Sequence, residues 1–296
     1  MRVLIVSKTT NLELYGERIR KHTRTGTVDE NHLRSLKKSH DSHYRSREAL
    51  FKALKTYDIR YEEVGRGLYW PDLAHVDWVV TLGGDGTILE ASHHIHNDKI
   101  PILGIRSSEQ SVGHLCFAGQ NTIDQTIRDL AENKLTPIEV SRLRAEVELV
   151  QTNAIVETDP VLNDFLFSNF SPAATTRYVL KLGSHKEEQK SSGIWVATPA
   201  GSTAAIHAAG GTPVSVTEDR FQFFVRELFN SPHESTELLQ KGVFDPDHDK
   251  FSIENHCEKA MLATDGQHGF VRLEFGDKVT FKRGPKLKIC LQRLGL

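Results

Sequence analysis

The sequence predicts an α/β N-terminal domain built on a doubly wound, mostly parallel sheet, followed by a β-rich, sandwich-like C-terminal domain. Three observations lead there. Over about the first 125 residues, short continuous apolar runs alternate with helix-spaced segments. Strands that are apolar on both faces belong in parallel sheets covered by helices. After about residue 136, short runs alternating apolar and polar side chains dominate, as antiparallel strands with one solvated face do. The length, 296 residues, also suits two domains at about 150 residues each.

At the start of the chain, residues 3–6 (VLIV) are a short buried strand; their length and polar sequel argue against a signal peptide. Residues 14–48 are polar and basic, and read as a solvated helix face, with a flap over phosphates as the alternative. Residues 46–57 pair Ala49 and Leu50 with Ala53 and Leu54 at helical spacing. Strands are expected at 59–64, 76–82 and 101–105, with a helix resuming at 88–95. In the second half, strands are expected at 145–150, 161–167, 178–182, 194–197, 271–275, 278–281 and 287–291, with a short helix at 206–209. The division is expected at 1–125 and 126–276, with a tail of about 277–296 returning to the first domain.

Lys and Arg number 37 against 39 Asp and Glu, a formal charge of −2. Such a balance carries no footprint for nucleic acid or an anionic membrane, and no apolar run reaches the about 18 residues of a membrane span. Three separated cysteines (Cys116, Cys257, Cys290) argue against a disulfide framework or cysteine zinc site and for a reducing, cytoplasmic setting. His93 and His96 share a helix face without a nearby carboxylate, and Glu254, His256 and Glu258 alternate on a strand; surface roles explain both groups better than metal binding.

Two turns carry chemistry. Residues 83–87 (GGDGT) stand where a buried strand gives way to a helix, the edge at which open α/β sheets bind ligands. Gly83, Gly84 and Gly86 admit phosphate oxygens to the backbone, and the helix start favours an anion. Asp85, a carboxylate in such a loop, can take a proton from a hydroxyl or help hold Mg²⁺. Capping of the helix by Asp85 and Thr87 is the equal alternative. Residues 194–211 repeat the pattern: a strand, the turn Thr198-Pro199-Ala200-Gly201-Ser202-Thr203-Ala204, a short helix and Gly210-Gly211. Thr198, Ser202 and Thr203 offer hydroxyls to a phosphate or a base, or simply cap the helix.

Together the two turns resemble the NAD kinase family, which transfers phosphate from ATP to the 2′-hydroxyl of NAD and so makes NADP. The likeness runs through GGDGT, residues 113–117 (GHLCF), Asn163-Asp164, residues 192–211 and, more weakly, Asp265-Gly266-Gln267. It implies Asp85 as general base and Gly83, Gly84, Gly86 and Thr87 around the donor phosphates with Mg²⁺ or another divalent cation. It implies Asn163 on the adenine, Asp164 on the ribose, and Lys190, Ser192, Thr198, Ser202, Thr203 and Ala204 around the dinucleotide. It supplies no protein metal ligand set. Carboxylates are weak bases toward alcohols, so positioning and charge stabilisation would carry most of the rate.

Several positions depart from the family pattern. Asp164 replaces a Glu, Ser192 an Asp and Ala205 a Tyr, and residues 106–112 look inserted. KSSG at 190–193, the 200–211 segment and residues 221–227 (FQFFVRE) look most like the plant-type NADH kinase branch. That implies good use of NADH, or preference for it, since a lost carboxylate disfavours the cationic oxidised ring. The resemblance implies small-molecule nucleotides as partners and a homodimer or homotetramer. Alternatives are a lipid kinase of the diacylglycerol or sphingosine type, which shares GGDGT, and a nucleotide sensor without catalysis.

Overall fold

A computed structural model describes the chain apart from residues 25–28, 66, 68–69, 98, 111, 231–237, 267 and 293–296; the side chains of 23 and 24 also lie outside it. Gln267, the last member of the late motif, is among the residues left out, as are parts of the 14–48 stretch, the 106–112 insertion and the tail. The described chain divides into two compact units, Met1–Ile138 with Lys288–Leu296, and Glu139–Leu287.

The first unit runs β1 (Arg2–Ser7), α1 (Asn11–Arg24), α2 (Glu30–Thr56), β2 (Arg60–Gly65), β3 (Trp78–Gly83), α3 (Asp85–His93), β4 (Ile102–Arg106), β5 (Ala118–Gly119), α4 (Ile123–Ala131) and β6 (Ile138–Val140). Its sheet has the order β2-β1-β3-β4-β19-β6, with β5 beside β4 and with β19 (Leu287–Cys290) supplied from the end of the chain. The pairs β1–β2, β1–β3, β3–β4 and β4–β19 are parallel. Leu4, Val6, Val79, Val80, Ile102, Leu103 and Ile105 are buried, as strands covered on both faces require.

The basic 14–48 stretch, where described, is helical. Asp29 caps α2 by accepting from the Asn31 amide at 3.0 Å. The buried residues of α2 (Ser42, His43, Ser46, Leu50, Ala53, Leu54) all lie from Ser42 onward. The first half is a solvated surface, and its periodicity is therefore invisible in hydropathy. The helix α4 is not among the expected elements, although Ile123, Ile127 and Leu130 lie at helical spacing and are buried.

The second unit is a pair of antiparallel sheets. It adds β7 (Leu143–Leu149), β8 (Ala154–Glu157), β9 (Asp164–Asn169), β10 (Thr176–Leu182), β11 (His185–Ser191), β12 (Gly193–Ala197), α5 (Ala205–Ala209), β13 (Phe221–Arg226), β14 (Lys241–Phe244), β15 (Phe251–Asn255), β16 (Lys259–Thr264), β17 (Gly269–Glu274) and β18 (Lys278–Arg283). One sheet is β11-β10-β15-β18-β7-β8 and the other β14-β13-β12-β9-β16-β17. Between them lie Phe165, Phe167, Tyr178, Phe221, Phe223, Phe244, Phe251 and Phe281, all essentially inaccessible. Each such ring contributes about 2–3 kcal/mol through burial.

The observed division corrects the expected boundaries. It falls at Ile138 rather than 125, because Ile123, Ile127 and Leu130 pack into the first unit's core with Val3, Leu54 and Leu103. The returning tail begins only at Lys288. Residues 278–283 form β18, which pairs with β7 and β15 inside the sandwich.

Candidate active site

In the first unit, β3 ends at Gly83 and Asp85 opens α3, with Gly84 extended at the helix cap (φ −122°, ψ −167°). A Cβ on Gly83 would stand 2.1 Å from Thr87 Oγ1, so only glycine lets the strand turn this tightly into the helix. The amides of Gly84, Asp85 and Gly86 meet no acceptor among the described residues. The half-buried Asp85 carboxylate accepts from the His114 amide (3.0 Å, Oδ2) and the Leu115 amide (2.9 Å, Oδ1). This joins GGDGT to GHLCF. The Cys116 thiol also donates to Oδ1 at 4.0 Å, and Oδ2 keeps a lone pair for a further donor. Beside it, a cavity of about 200 Å³ is lined by Arg106, Gly113, His114, Cys116, Gly119 and Gln292 among others.

In the second unit, the start of β9 lies between the ends of β12 and β16, with Asp164 opposite Ala197 and Phe165 opposite Thr264. Asp265, buried and left-handed (φ 42°), follows β16. Its carboxylate accepts from the amides of Leu162 (2.9 Å), Asn163 (2.8 Å) and Asp164 (3.0 Å). From the other side, the Thr198 amide donates to the Asn163 carbonyl at 2.8 Å, and the Thr198 hydroxyl donates to the Leu162 carbonyl. Backbone 162–164 is therefore gripped from both neighbours. The side chains of Asn163 and Asp164 make no hydrogen bond among the described residues. Polar side chains left open on a backbone this restrained are what a preorganised ligand cradle requires.

Several predicted binding residues serve the frame instead. Thr198 is wholly buried and its hydroxyl, besides its bond to Leu162, accepts from the Gly201 amide at 3.1 Å. The buried Ser202 hydroxyl accepts from the Val214 amide at 3.1 Å. Thr87, also buried, packs its hydroxyl against Gly83. The Thr198 and Ser202 hydroxyls bond within the protein and the Thr87 hydroxyl is buried, whereas the sequence reading expects all three at a nucleotide. Thr203 is exposed and Ala204 half-buried in the turn Ala200–Thr203 and its cap.

Lys190, near the end of β11, and Ser192, just before β12, stand apart from these turn residues. Ser192 lies at the opposite end of β12 from Thr198, about 20 Å away at the rise of an extended strand, with Lys190 on β11 two residues before it. There they line a separate cavity of about 410 Å³ with Arg177, Ser191, Glu227 and Phe229. Phe117 packs on the first unit's core, as an ordinary core aromatic does. His256 pairs with Glu254 at 3.2 Å, the surface role expected of it. Asp265 is the residue whose importance sequence reading underestimated. The only signal was its place in the weak late motif.

Burial, with repulsion from the Asp265 carboxylate, pushes the Asp164 carboxyl from its ordinary 3.8 up to about 7. In the unfolded chain this group ionises near pH 4, whereas in the folded protein it holds its proton to about pH 7. Its contribution to stability is thus complete below pH 4 and falls as pH rises between the two values. Asp164→Asn should accordingly gain about 2 kcal/mol on wild type between pH 5 and pH 7. Urea unfolding of both proteins at the two pH values measures this; parallel pH profiles would remove the assigned shift.

A family profile described as "ATP-NAD kinase N-terminal domain" matches residues 21–134. A protein of Arabidopsis thaliana named NADH kinase is 35% identical over 243 residues, covering 74% of this chain and 75% of its own. A probable NADH kinase of Oryza sativa subsp. japonica is 31% identical over 239 residues, covering 73% and 71%. Among solved structures, an NAD kinase from Archaeoglobus fulgidus in complex with ATP superposes with a TM-score of 0.67 at 20% identity, covering 99% of this chain and 94% of its own. Yeast NADH kinase complexed with NADH gives 0.74 at 14% identity, covering 100% and 84%. These two structures show the fold.

Proposed function

Because this chain belongs to the NAD kinase family, we propose that it phosphorylates the 2′-hydroxyl of the adenosine ribose of NAD(H) with ATP, giving NADP(H). The observation that carries this reading is the Asp85 carboxylate, fixed at the start of α3 by two amides and still able to accept. As the 2′-oxygen attacks the γ-phosphorus, its proton passes to Asp85 and ADP leaves with the bridging oxygen. The open amides of Gly84, Asp85 and Gly86 are suited to the charge on the phosphoryl oxygens. Mg²⁺ keeps several waters and binds through one or two carboxylates and substrate phosphates, which suits a loop with one carboxylate. When bound, it would offset phosphate charge.

Asn163 and Asp164 provide the nucleoside cradle. An Asn side chain both donates and accepts, as an adenine edge requires. Asp164, titrating near neutrality, can accept from a ribose hydroxyl or donate to it, which offsets its being one methylene shorter than Glu. The lipid-kinase and sensor alternatives are not favoured, since the relatives named above are NAD and NADH kinases. No helix among the described residues is long and apolar enough to cross a membrane.

Use of NADH rests on the likeness to the two plant NADH kinases. With Mg²⁺ and ATP, the protein should form NADPH from NADH at least as efficiently as NADP⁺ from NAD⁺. Competing kcat/KM measurements decide it. A clear preference for NAD⁺ would overturn the NADH reading alone, and conversion of neither would overturn the kinase reading.

A further inference from the structure

We propose that Lys8 binds the terminal phosphates of the phosphoryl donor, completing an anion site beside the Gly83–Thr87 turn. This deepens the kinase reading and rests on it. Ser7, the last residue of β1, pairs with Leu82, and the Lys8 amide donates to the Leu82 carbonyl at 3.0 Å. Lys8 therefore stands beside Gly83, at the carboxyl edge of a parallel sheet, where such sheets bind ligands. The two faces of the sheet can be told apart. Ser7 faces α2, with its hydroxyl 3.4 Å from His43 Nε2. Gly83 and Gly104 face α3, since a Cβ on each would strike Thr87 and Ile88 respectively. By the alternation of β1, Lys8 leaves the strand end toward the α3 side, the side of Asp85, while its charge also reaches His43 on the α2 side.

The charges around Lys8 are lopsided. It is half-buried and forms no ion pair among the described residues. The charge of Lys8 reaches His43 of α2, which also feels His40, Arg47 and, from α1, Glu13. Glu13 is already engaged by the Thr10 amide and hydroxyl and by the Tyr44 hydroxyl. Arg47 is paired with Glu63. His43 is buried, and burial followed by the charge of Lys8 holds its pKa down to about 4. It stays neutral and contacts the Ser107 hydroxyl at 3.0 Å, while the Ser107 amide donates to the Gly83 carbonyl at 2.9 Å. Burial also lowers the pKa of Lys8 itself.

A half-buried cation with no counter-charge is costly unless a ligand supplies the charge. A compact ammonium beside open amides suits a phosphate oxygen. The competing role is that the stem of Lys8 covers apolar surface while its amine rests in water.

Lys8→Met separates the two, because it keeps the stem and removes the charge. Inorganic tripolyphosphate is titrated calorimetrically into wild type, Lys8→Met and Lys8→Arg, and steady-state kinetics are taken with ATP and with the dinucleotide. Loss of one charged hydrogen bond should weaken tripolyphosphate binding and kcat/KM for ATP by about tenfold or more. The KM for dinucleotide should stay within about twofold and Lys8→Arg should recover most of the loss. Tripolyphosphate binding and ATP use by a folded Lys8→Met within twofold of wild type would overturn the assignment and leave the kinase reading standing. If wild type makes no NADP(H), the kinase reading fails and the titration still decides the anion site. Should Lys8→Met not fold, Lys8→Gln replaces it with the same two outcomes.

Discussion

Asp85→Asn should reduce turnover by about 10²–10⁴-fold, the usual contribution of a positioned general base. Asn163 and Asp164, proposed above to hold the dinucleotide, lie in the other unit, so dinucleotide affinity should be little changed. The structure adds a second effect. The carboxylate offers one oxygen to the His114 amide and the other to the Leu115 amide. Asparagine has a single oxygen, and its NH₂ group would face one of these donors. Leaving the part-buried Leu115 amide unmatched would cost about 1–3 kcal/mol, and the exposed His114 amide less, since water can replace the oxygen there. The variant should therefore combine a large fall in kcat with a modest fall in melting temperature. Calorimetric titration with NADH, steady-state kinetics and thermal melting read the three effects separately. Turnover close to wild type would end the role of Asp85 as base. Loss of stability without loss of kcat would reduce the residue to a clamp for the 113–117 segment.

The second large effect is expected at Gly201. A Cβ there would lie 2.1 Å from the carbonyl oxygen of Asn163, 2.5 Å from its carbonyl carbon and 2.6 Å from its Cα. All three are backbone atoms, so no rotamer change relieves the clash. Gly201→Ala must push the 198–201 turn and residue 163 apart, breaking the bond from the Gly201 amide to the Thr198 hydroxyl or that from the Thr198 amide to the Asn163 carbonyl. Overpacking against a rigid neighbour costs about 3 kcal/mol or more. Moving Asn163 by about 1 Å should also reduce kcat/KM about 10²-fold, since positioning errors of that size do so. Folding stability by denaturant titration and kcat/KM for NADH together test the claim. A variant with native stability and native KM would show that the contact is dispensable.

Much of the frame was legible before any coordinates. Buried runs at 3–6, 76–82 and 101–105 became β1, β3 and β4 because continuous apolar stretches have few other places to go. Glycines 83, 84 and 86 marked the strand-to-helix turn, and Asn163-Asp164 marked a stretch of backbone held by Asp265 and Thr198. The segment 14–48 was ambiguous for a physical reason. The half of α2 that touches solvent carries no hydrophobic period, and polar helices and polar loops look alike in composition. The pattern of α4, by contrast, was written in Ile123, Ile127 and Leu130 and was missed.

The sequence by itself determined the fold class, the family and the local turns, since each depends on residues a few positions apart or on motifs in a fixed order. The tertiary structure alone decided which polar groups are free to act. Asp85 meets amides 29 and 30 positions away, and Asp265 grips amides 103, 102 and 101 positions away. Backbone amides are the same at every residue, so nothing in the letters records where they point. Thr198 and Ser202 look like ligand donors as letters and are consumed as braces in space. Ser192 and Thr198 are neighbours in sequence, yet an extended strand holds them at opposite ends. Which hydroxyl or carboxylate remains available is set by the strands that end beside it, and only folding brings those strands together.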